Sequence, residues 1–493
     1  MRAVAPAEFA ASDDVPVFGR QIPYKYVVAI VYVTALFLDI LDVTIVNVAI
    51  PALGQELNSD NAEWVILGYT LSLAVWIPAS GWLGDRIGTK KTFMFAFIAF
   101  TLGSLLCATA QTMGQLIAFR VVQGIGGGML TPVGIAMLFR AFPPTERARA
   151  STIVMLPAML APAMGPILGG LLVTHANWRW IFIVNVPIGI VGIVFGLMFL
   201  REHREPTAGR FDLPGFVLSG GSLALIVYAL SDGAHSGWTS PVVMSTAGLG
   251  VLLGIVVVWV ELRVERPMLD LRLLHDRLFR QCNVMSLLSS MSFLGLTFVM
   301  PLYLQLFRGF DALESGLTTF PQALGILISG QIAGRLYMRM GPRRLMSGGL
   351  FAAGFVILAF TRIEVDTNLW LIRILMFLRG TCMGFAFVPM QAASYATIDP
   401  RDNGRASSIF SVQRQVGISF GVAILASVLA SYMSLSQPVS PDLSASEVAH
   451  VLTGYRIAFG LAVVFAWAGA LAAAFVRDSD AAATMRPRQA AVS

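Results

Sequence analysis

The stretch GWLGDRIGTKK at residues 81–91 returns as GRLYMRMGPRR at residues 334–344, 253 positions later. Gly81, Leu83, Arg86, Gly88, Lys90 and Lys91 correspond to Gly334, Leu336, Arg339, Gly341, Arg343 and Arg344, and the informative change is Asp85 to Met338. Each copy joins one apolar run to the next. Glycine permits the tight turn, and the cations hold that turn on the inner side of a membrane. The repeat therefore divides the chain into two related halves.

Composition agrees with a membrane setting. The chain is 56% hydrophobic and 13% charged, with a mean hydropathy of +0.74, whereas soluble domains carry about 25% charged residues. Apolar runs long enough to cross about 30 Å of hydrocarbon recur from end to end. They lie near 26–50, 62–83, 91–110, 114–139, 150–173, 178–200, 214–231, 243–262, 279–307, 313–334, 345–361, 368–390, 406–431 and 455–476. The expected fold is an all-α polytopic membrane protein with fourteen transmembrane helices, arranged as two six-helix bundles plus two extra helices. Its parts are a tail at 1–24, a first bundle at 25–200, a linker with the extra pair at 201–278, a second bundle at 279–476 and a tail at 477–493.

An even number of crossings puts both termini on one side. That side collects Arg2, Arg20, Lys25, Arg86, Lys90, Lys91, Arg140, Arg147, Arg149, the basic residues from Arg201 to Arg280 and from Arg335 to Arg344, Arg401, Arg405 and the tail arginines. The other side holds only Arg179, Arg308, Arg362 and Arg456. Both termini are thus expected in the cytoplasm. The net charge of +6 then serves topology and attachment to anionic lipid, and nucleic acid is not expected as a partner. The first 24 residues lack the apolar core and cleavage site of a signal peptide, so the first span is read as a retained helix. Lys25, Lys90 and Lys91 are the only lysines among 34 basic residues, a bias that suggests a high-GC bacterial genome and hence the bacterial inner membrane.

Further stretches carry the reading to a family. LIAFRVVQGIGGGM (116–129) places Arg120 and a glycine-rich face on the fourth span, and APAMGPILGG (161–170) puts a Gly-Pro break and paired glycines in the fifth. NWRWIFIVNVPIG (177–189) opens the sixth, and NGRASSIFSVQRQVGISFGVAI (403–424) makes the thirteenth. With LDVTIVNVAIP in the first span, these resemble the major facilitator superfamily, and within it the fourteen-helix drug:proton antiporter branch of EmrB/QacA type. The resemblance covers nearly the whole chain.

The resemblance implies proton-driven export of hydrophobic, often cationic, compounds by alternating access, without an enzymatic reaction or a cofactor. It also implies that Gly81, Asp85, Arg86, Gly88 and Lys90 belong to a cytoplasmic gate. Gly165, Pro166, Gly169 and Gly170 match the stretch that sets antiporters apart, although Ala161 and Thr152 stand where its long form has glycine. Independently of the family, these glycines allow helix backbones to approach closely and Pro166 bends the helix.

The residues that could carry protons are few. His175, His203, His235, His275 and His450 all fall in loops or at span ends. Glu63 and Glu314 lie near outer ends and Asp85 at an inner end, which leaves Asp39 and Asp42 as the deep carboxylates. Three positions apart, they look into one sector of the helix. A charged acid at a helix centre costs roughly 2.5 to 3.5 kcal/mol on insertion scales, so both should face a polar cavity or a cation. Asp42 lies roughly 12 Å below the outer end of its span and Arg120 roughly 9 Å below that of the fourth, so the two match in level. The family resemblance supports the same pairing. Asp42 is accordingly expected to carry the proton, Arg120 to modulate it, and Asp39 to assist proton handling or attract cationic substrate. Alternating access would change which neighbours act on the carboxylate. A permanently ionised Asp42–Arg120 pair that only holds helices together is the structural alternative.

Arg379 and Arg414 also reach mid-depth, with no deep acid in the second half to meet them. Backbone carbonyls, an acid of the first bundle or a substrate anion must do so, and the role is structural or substrate-facing. Arg373 lies nearer the outer surface and is expected to snorkel.

Other chemistry finds little support. Cys107, Cys282 and Cys382 fall inside spans as small packing residues, and no metal site is expected. The glycines after Arg120 lie within an apolar helix, away from any strand-to-helix turn, which disfavours nucleotide binding. The polar loop near 433–453 is long enough to touch a periplasmic adaptor of the kind some relatives recruit. The alternatives to a multidrug exporter are a dedicated exporter of one endogenous metabolite, lipid or antibiotic, and a membrane sensor that transports nothing.

Overall fold

Every apolar run of the sequence forms helix. The computed structural model describes residues 14–17, 20–142, 147–204, 211–264, 267, 269–398, 403–435 and 444–485. In the first half these are α1 (Tyr24–Glu56), α2 (Trp64–Ile87), α3 (Thr89–Thr109), α4 (Met113–Ala141), α5 (Arg147–His175), α6 (Trp180–Ile183) and α7 (Asn185–Phe199). The extra pair is α8 (Leu213–Ser236) and α9 (Pro241–Glu261). The second half contains α10 (Arg277–Leu302), α11 (Ala312–Thr319), α12 (Pro321–Phe360), α13 (Leu369–Ser394), α14 (Asn403–Ala430), α15 (Ala445–Ala474) and the short α16 (Ala482–Met485).

Among the described residues twelve helices are long and apolar enough to span a membrane. One of them, from Ala312 to Phe360, is 49 residues long and holds two of the expected spans, with non-helical backbone at Gly341. α5 is a further helix, apolar over Leu160–His175. Each of the fourteen expected runs thus has a helical arm, which is consistent with fourteen crossings. The sixth is α6 and α7 in succession, and the ninth ends in a π-turn at Tyr303–Phe307.

The repeated turns share one construction. Gly88 and Gly341 have φ of 119° and 77°, a region that suits glycine. At the first turn the Glu202 carboxylate accepts from the backbone N–H groups of Lys90 (2.9 Å) and Lys91 (3.3 Å). At the second, Asp478 accepts from the Arg343 N–H at 2.9 Å. In each bundle a carboxylate that follows the last helix caps the third, where helix N–H groups lack partners.

Packing distinguishes the two ends of the molecule. One continuous apolar core joins the bundles around Ile45–Leu53, Val65–Leu71, Leu296–Phe307 and Val422–Leu429. Toward the termini the core divides. One cluster, around Tyr32, Phe93, Phe97 and Met129, belongs to the first bundle with Val412 and Val416 of α14 attached. The other, around Met285, Leu350 and Met383, belongs to the second bundle. Polar contacts between bundles also gather at the joined end. Gln305 donates to the Val48 carbonyl at 2.9 Å, Thr70 and Ser419 meet at 2.9 Å, and the Leu313 N–H donates to Thr174 at 3.1 Å. The bundles are therefore clasped on the side away from the termini.

Two features go beyond the sequence reading. A hairpin of β1 (Asp14–Val17) and β2 (Arg20–Pro23) stands in what was expected to be a plain tail, with Val15 packed against Val27, Phe195 and Phe199. α8 lies along α2, with Trp76 against Phe216, Trp64 against Tyr228 and Ser231 donating to Glu63 at 2.8 Å. α8 also touches α14, so the extra pair flanks the α2–α14 seam between the bundles. α9 leaves Leu252, Ile255 and Trp259 exposed, as a lipid-facing helix does.

Candidate functional site

Asp42 is fully buried on α1 at the level where α4 carries Arg120. Arg120 Nη1 donates to Asp42 Oδ2 at 2.5 Å. The second oxygen, Oδ1, accepts from Gln123 Nε2 at 2.9 Å and Asn185 Nδ2 at 3.1 Å. Arg120 is itself fixed on several sides. Its Nη1 reaches Gln123 Oε1 at 2.8 Å, its Nε reaches the Val65 carbonyl at 3.0 Å, and its guanidinium lies 4.1 Å from the centroid of the Tyr69 ring. Asn185 also donates to Ser104, which donates to the Phe182 carbonyl at 2.9 Å. Helices α1 to α4, α6 and α7 all contribute to this network. Helix rise puts Asp42 and Arg120 at one level, and the structure brings them into contact.

Asp39 behaves differently. It is only half-buried, and its Oδ1 accepts from the Tyr69 hydroxyl at 2.5 Å. Gly127 of α4 lies against both Tyr69 and Asp39, where a larger side chain would intrude. Tyr69 thus touches both acid sites, through its hydroxyl to Asp39 and through its ring to Arg120. The two carboxylates share a helix sector, as their spacing requires, but only Asp39 keeps part of its surface exposed.

The two arginines of the second bundle separate in the same way. Arg379 is fully buried, donates to the Gln322 side chain and to the Phe293 carbonyl at 2.5 Å, and stands over the Phe293 ring. Of the partners expected for it, a backbone carbonyl is the one it meets. Arg414 is exposed along α14 and lies within electrostatic range of Asp39 in the first bundle. Arg373 stands over the Trp370 ring.

The glycine-rich stretch of α5 lies beside this site. A side chain at Gly165 would collide with Thr44, and one at Gly169 would meet Ile45, both just beyond Asp42 on α1. Gly170 abuts Ala312 and Leu313, and the Pro166 carbonyl abuts Gly316, so the same stretch carries contact to the second bundle. Ala161 is buried; the Thr152 side chain lies outside the described ones. In the gate stretch Asp85 pairs with Arg140 of its own bundle at 3.6 Å. Lys90 Nζ donates to the Leu197 carbonyl at 2.9 Å, Arg86 is exposed, and the open face of Gly81 has no neighbour. Among the described residues no cluster of three metal-ligating side chains occurs.

The sequence reading missed Gln123, Asn185, Tyr69 and the capping acids Glu202 and Asp478. Gln123 had a usable signal, since it follows Arg120 by one turn on the same face. Asn185 lies in the stretch 177–189, where an amide inside an apolar run is its one sequence signal.

Comparison with known proteins places this geometry. The sequence profile of the Major Facilitator Superfamily matches residues 32–422 and again 284–491. The multidrug resistance protein B homolog of Mycobacterium tuberculosis is 37% identical over 399 residues, covering 79% of this chain and 73% of that protein. The putative multidrug resistance protein MdtD of Serratia proteamaculans is 34% identical over 400 residues, covering 80% and 83%. Among solved structures, a bacterial homolog of the human lysosomal transporter Spinster, in an inward-facing and unoccupied conformation, superimposes with a TM-score of 0.66 at 16% identity, covering 95% of this chain and 99% of that one. An auto-inhibited POT-family peptide transporter gives 0.65 at 15% identity, covering 94% and 97%. With paired bundles, a repeated turn and this profile match, the chain belongs to the major facilitator superfamily of multi-pass membrane transporters.

Proposed function

We propose that the protein exports hydrophobic, often cationic, compounds across a bacterial cytoplasmic membrane in exchange for protons, with both termini in the cytoplasm and no cofactor beyond the proton gradient. The observation that carries this reading is the pair of acids on α1, one locked to Arg120 and one open to the space between bundles. Relatives named as multidrug resistance proteins support export of drug-like compounds. The clasp on the side away from the termini, together with the cation-rich termini side, supports an inward-open state.

Within this reading the two acids divide the work, and Asp39 takes the role first expected of Asp42. Asp42 already accepts from Arg120, Gln123 and Asn185. Protonating it would leave the Arg120 charge buried and unpaired, a change that costs roughly 3 to 5 kcal/mol when a buried pair is broken. Asp39 has a smaller barrier to exchange, since Tyr69 can remain a donor while water or substrate reaches the carboxylate. Asp39 therefore exchanges the proton, and the Asp42–Arg120 pair fixes the wall against which it does so. When outward-facing, Asp39 takes up a proton; when inward-facing, substrate displaces that proton to the cytoplasm.

The gate residues Gly81, Asp85, Arg86, Gly88 and Lys90 regulate closure of the inner side, and the α5 stretch Gly165–Gly170 guides the bundles past one another. A periplasmic adaptor, where one is recruited, would meet the outer segment between α14 and α15. That segment is shorter than the sequence suggested, because α15 already begins at Ala445; residues 436–443 lie outside the described ones. The test is counterflow in proteoliposomes with an imposed pH gradient and a cationic dye. Dye accumulation that collapses when the gradient is dissipated supports the reading, and accumulation indifferent to the gradient contradicts it.

A further inference from the structure

The space between the bundles presents a cation as well as an acid. Arg414 lies near the middle of the 28-residue α14. On that helix Val412 and Val416 pack toward α2, and Gly417 and Gly421 lie against α10. The electrostatic neighbours of the guanidinium are Asp39 on α1 and Tyr395 at the end of α13. Its accessible surface therefore faces the gap between bundles and not lipid. Arg120 is held by protein acceptors through Nε and Nη1, and Arg379 through both terminal nitrogens. Arg414 makes no hydrogen bond or ion pair with the described residues, so its five N–H donors remain available.

A transporter of simple cations gains nothing from such a group, since it repels them. We propose that Arg414 recognises an acidic group on the transported compound, so that the substrates include zwitterionic and anionic amphiphiles, with Asp39 receiving an amine when one is present. This rests on the transport reading above and narrows it to a substrate class. The planar fork of a guanidinium matches a carboxylate through two parallel N–H bonds, and lysine reproduces the charge without the fork. The apolar body of such a compound would lie against Val416, a partly buried neighbour on the same helix.

The experiment uses a matched pair of probes, a rhodamine with a free carboxylate and its ethyl ester, which keeps the cationic ring system and lacks the acid. Binding to the purified full chain is read by fluorescence anisotropy, and proton-driven uptake is read in proteoliposomes. Arg414→Gln is expected to weaken binding of the carboxylated dye about tenfold or more and to change binding of the ester by less than about threefold; Arg414→Lys restores part of the loss. Equal loss for both dyes, no change for either, or no binding of the carboxylated dye to the unaltered chain overturns the proposal. Thermal unfolding of each variant shows that it is folded, and Arg414→Lys retains the test should Arg414→Gln fail to fold. Arg414-dependent binding without gradient-driven uptake of either dye would leave this assignment standing and contradict the transport reading instead.

Discussion

Tyr69 donates its hydroxyl to Asp39 at 2.5 Å while its ring lies 4.1 Å from the Arg120 guanidinium. One side chain thereby couples the accessible acid to the buried ion pair. Tyr69→Phe keeps the ring and removes the donor. A hydrogen bond to a charged group contributes roughly 1.5 to 3 kcal/mol, so the variant should lose up to about that much stability and remain folded, while proton-coupled exchange falls by about tenfold or more. Unchanged exchange would mean that the Tyr69 hydroxyl is only a packing feature.

The Asp42–Arg120 contact should behave as a buried pair in a double-mutant cycle. Asp42→Asn and Arg120→Gln each leave a charge unpaired, with an expected cost of about 3 to 5 kcal/mol. The double variant should be more stable than the sum of the single losses predicts. Thermal unfolding in detergent measures this, and strictly additive losses would argue against the contact.

Close approach at Gly165 leads to a second packing test. Gly165→Ala drives a methyl group into Thr44, so transport should fall several-fold with a loss of stability on the order of 1 to 3 kcal/mol. Trimming the neighbour in Gly165→Ala/Thr44→Ala should recover part of both, as uptake and unfolding measurements would show.

The capped turns predict a parallel pair of effects. Glu202→Ala and Asp478→Ala each remove a helix N-terminal acceptor, at a cost of about 1 kcal/mol. Gly88→Ala and Gly341→Ala should cost more, because both positions have positive φ and each lies against its capping carboxylate. Limited proteolysis from the termini side should cut the turns faster in all four variants.

Much of this was legible in the sequence for identifiable reasons. Membrane spans announce themselves by length and hydropathy, and the Gly81 and Gly334 turns by their repetition. Asp42 and Arg120 could be paired because helix rise converts residue number into depth, and charges deep in an apolar run are rare. Tyr69 carries no charge and no periodic mark, so nothing distinguishes it from other polar residues in a span, whereas Gln123 and Asn185 are marked only by their place one turn after Arg120 and inside an apolar run. Glu202 and Asp478 follow helix ends, where acids are ordinary, and their capping role depends on which helix the chain returns to. The difference between Asp39 and Asp42 was beyond sequence reasoning, since the spacing that puts them in one sector cannot say which one neighbouring helices will cover.

The central claim is that the accessible acid exchanges the proton and the paired acid does not. Substrate-induced proton release from purified protein in weakly buffered detergent measures this most directly. The account predicts that Asp39→Asn abolishes the release, while Asp42→Asn, in the fraction that remains folded, still releases protons. Full release from Asp39→Asn together with none from folded Asp42→Asn would contradict it and return the proton to Asp42.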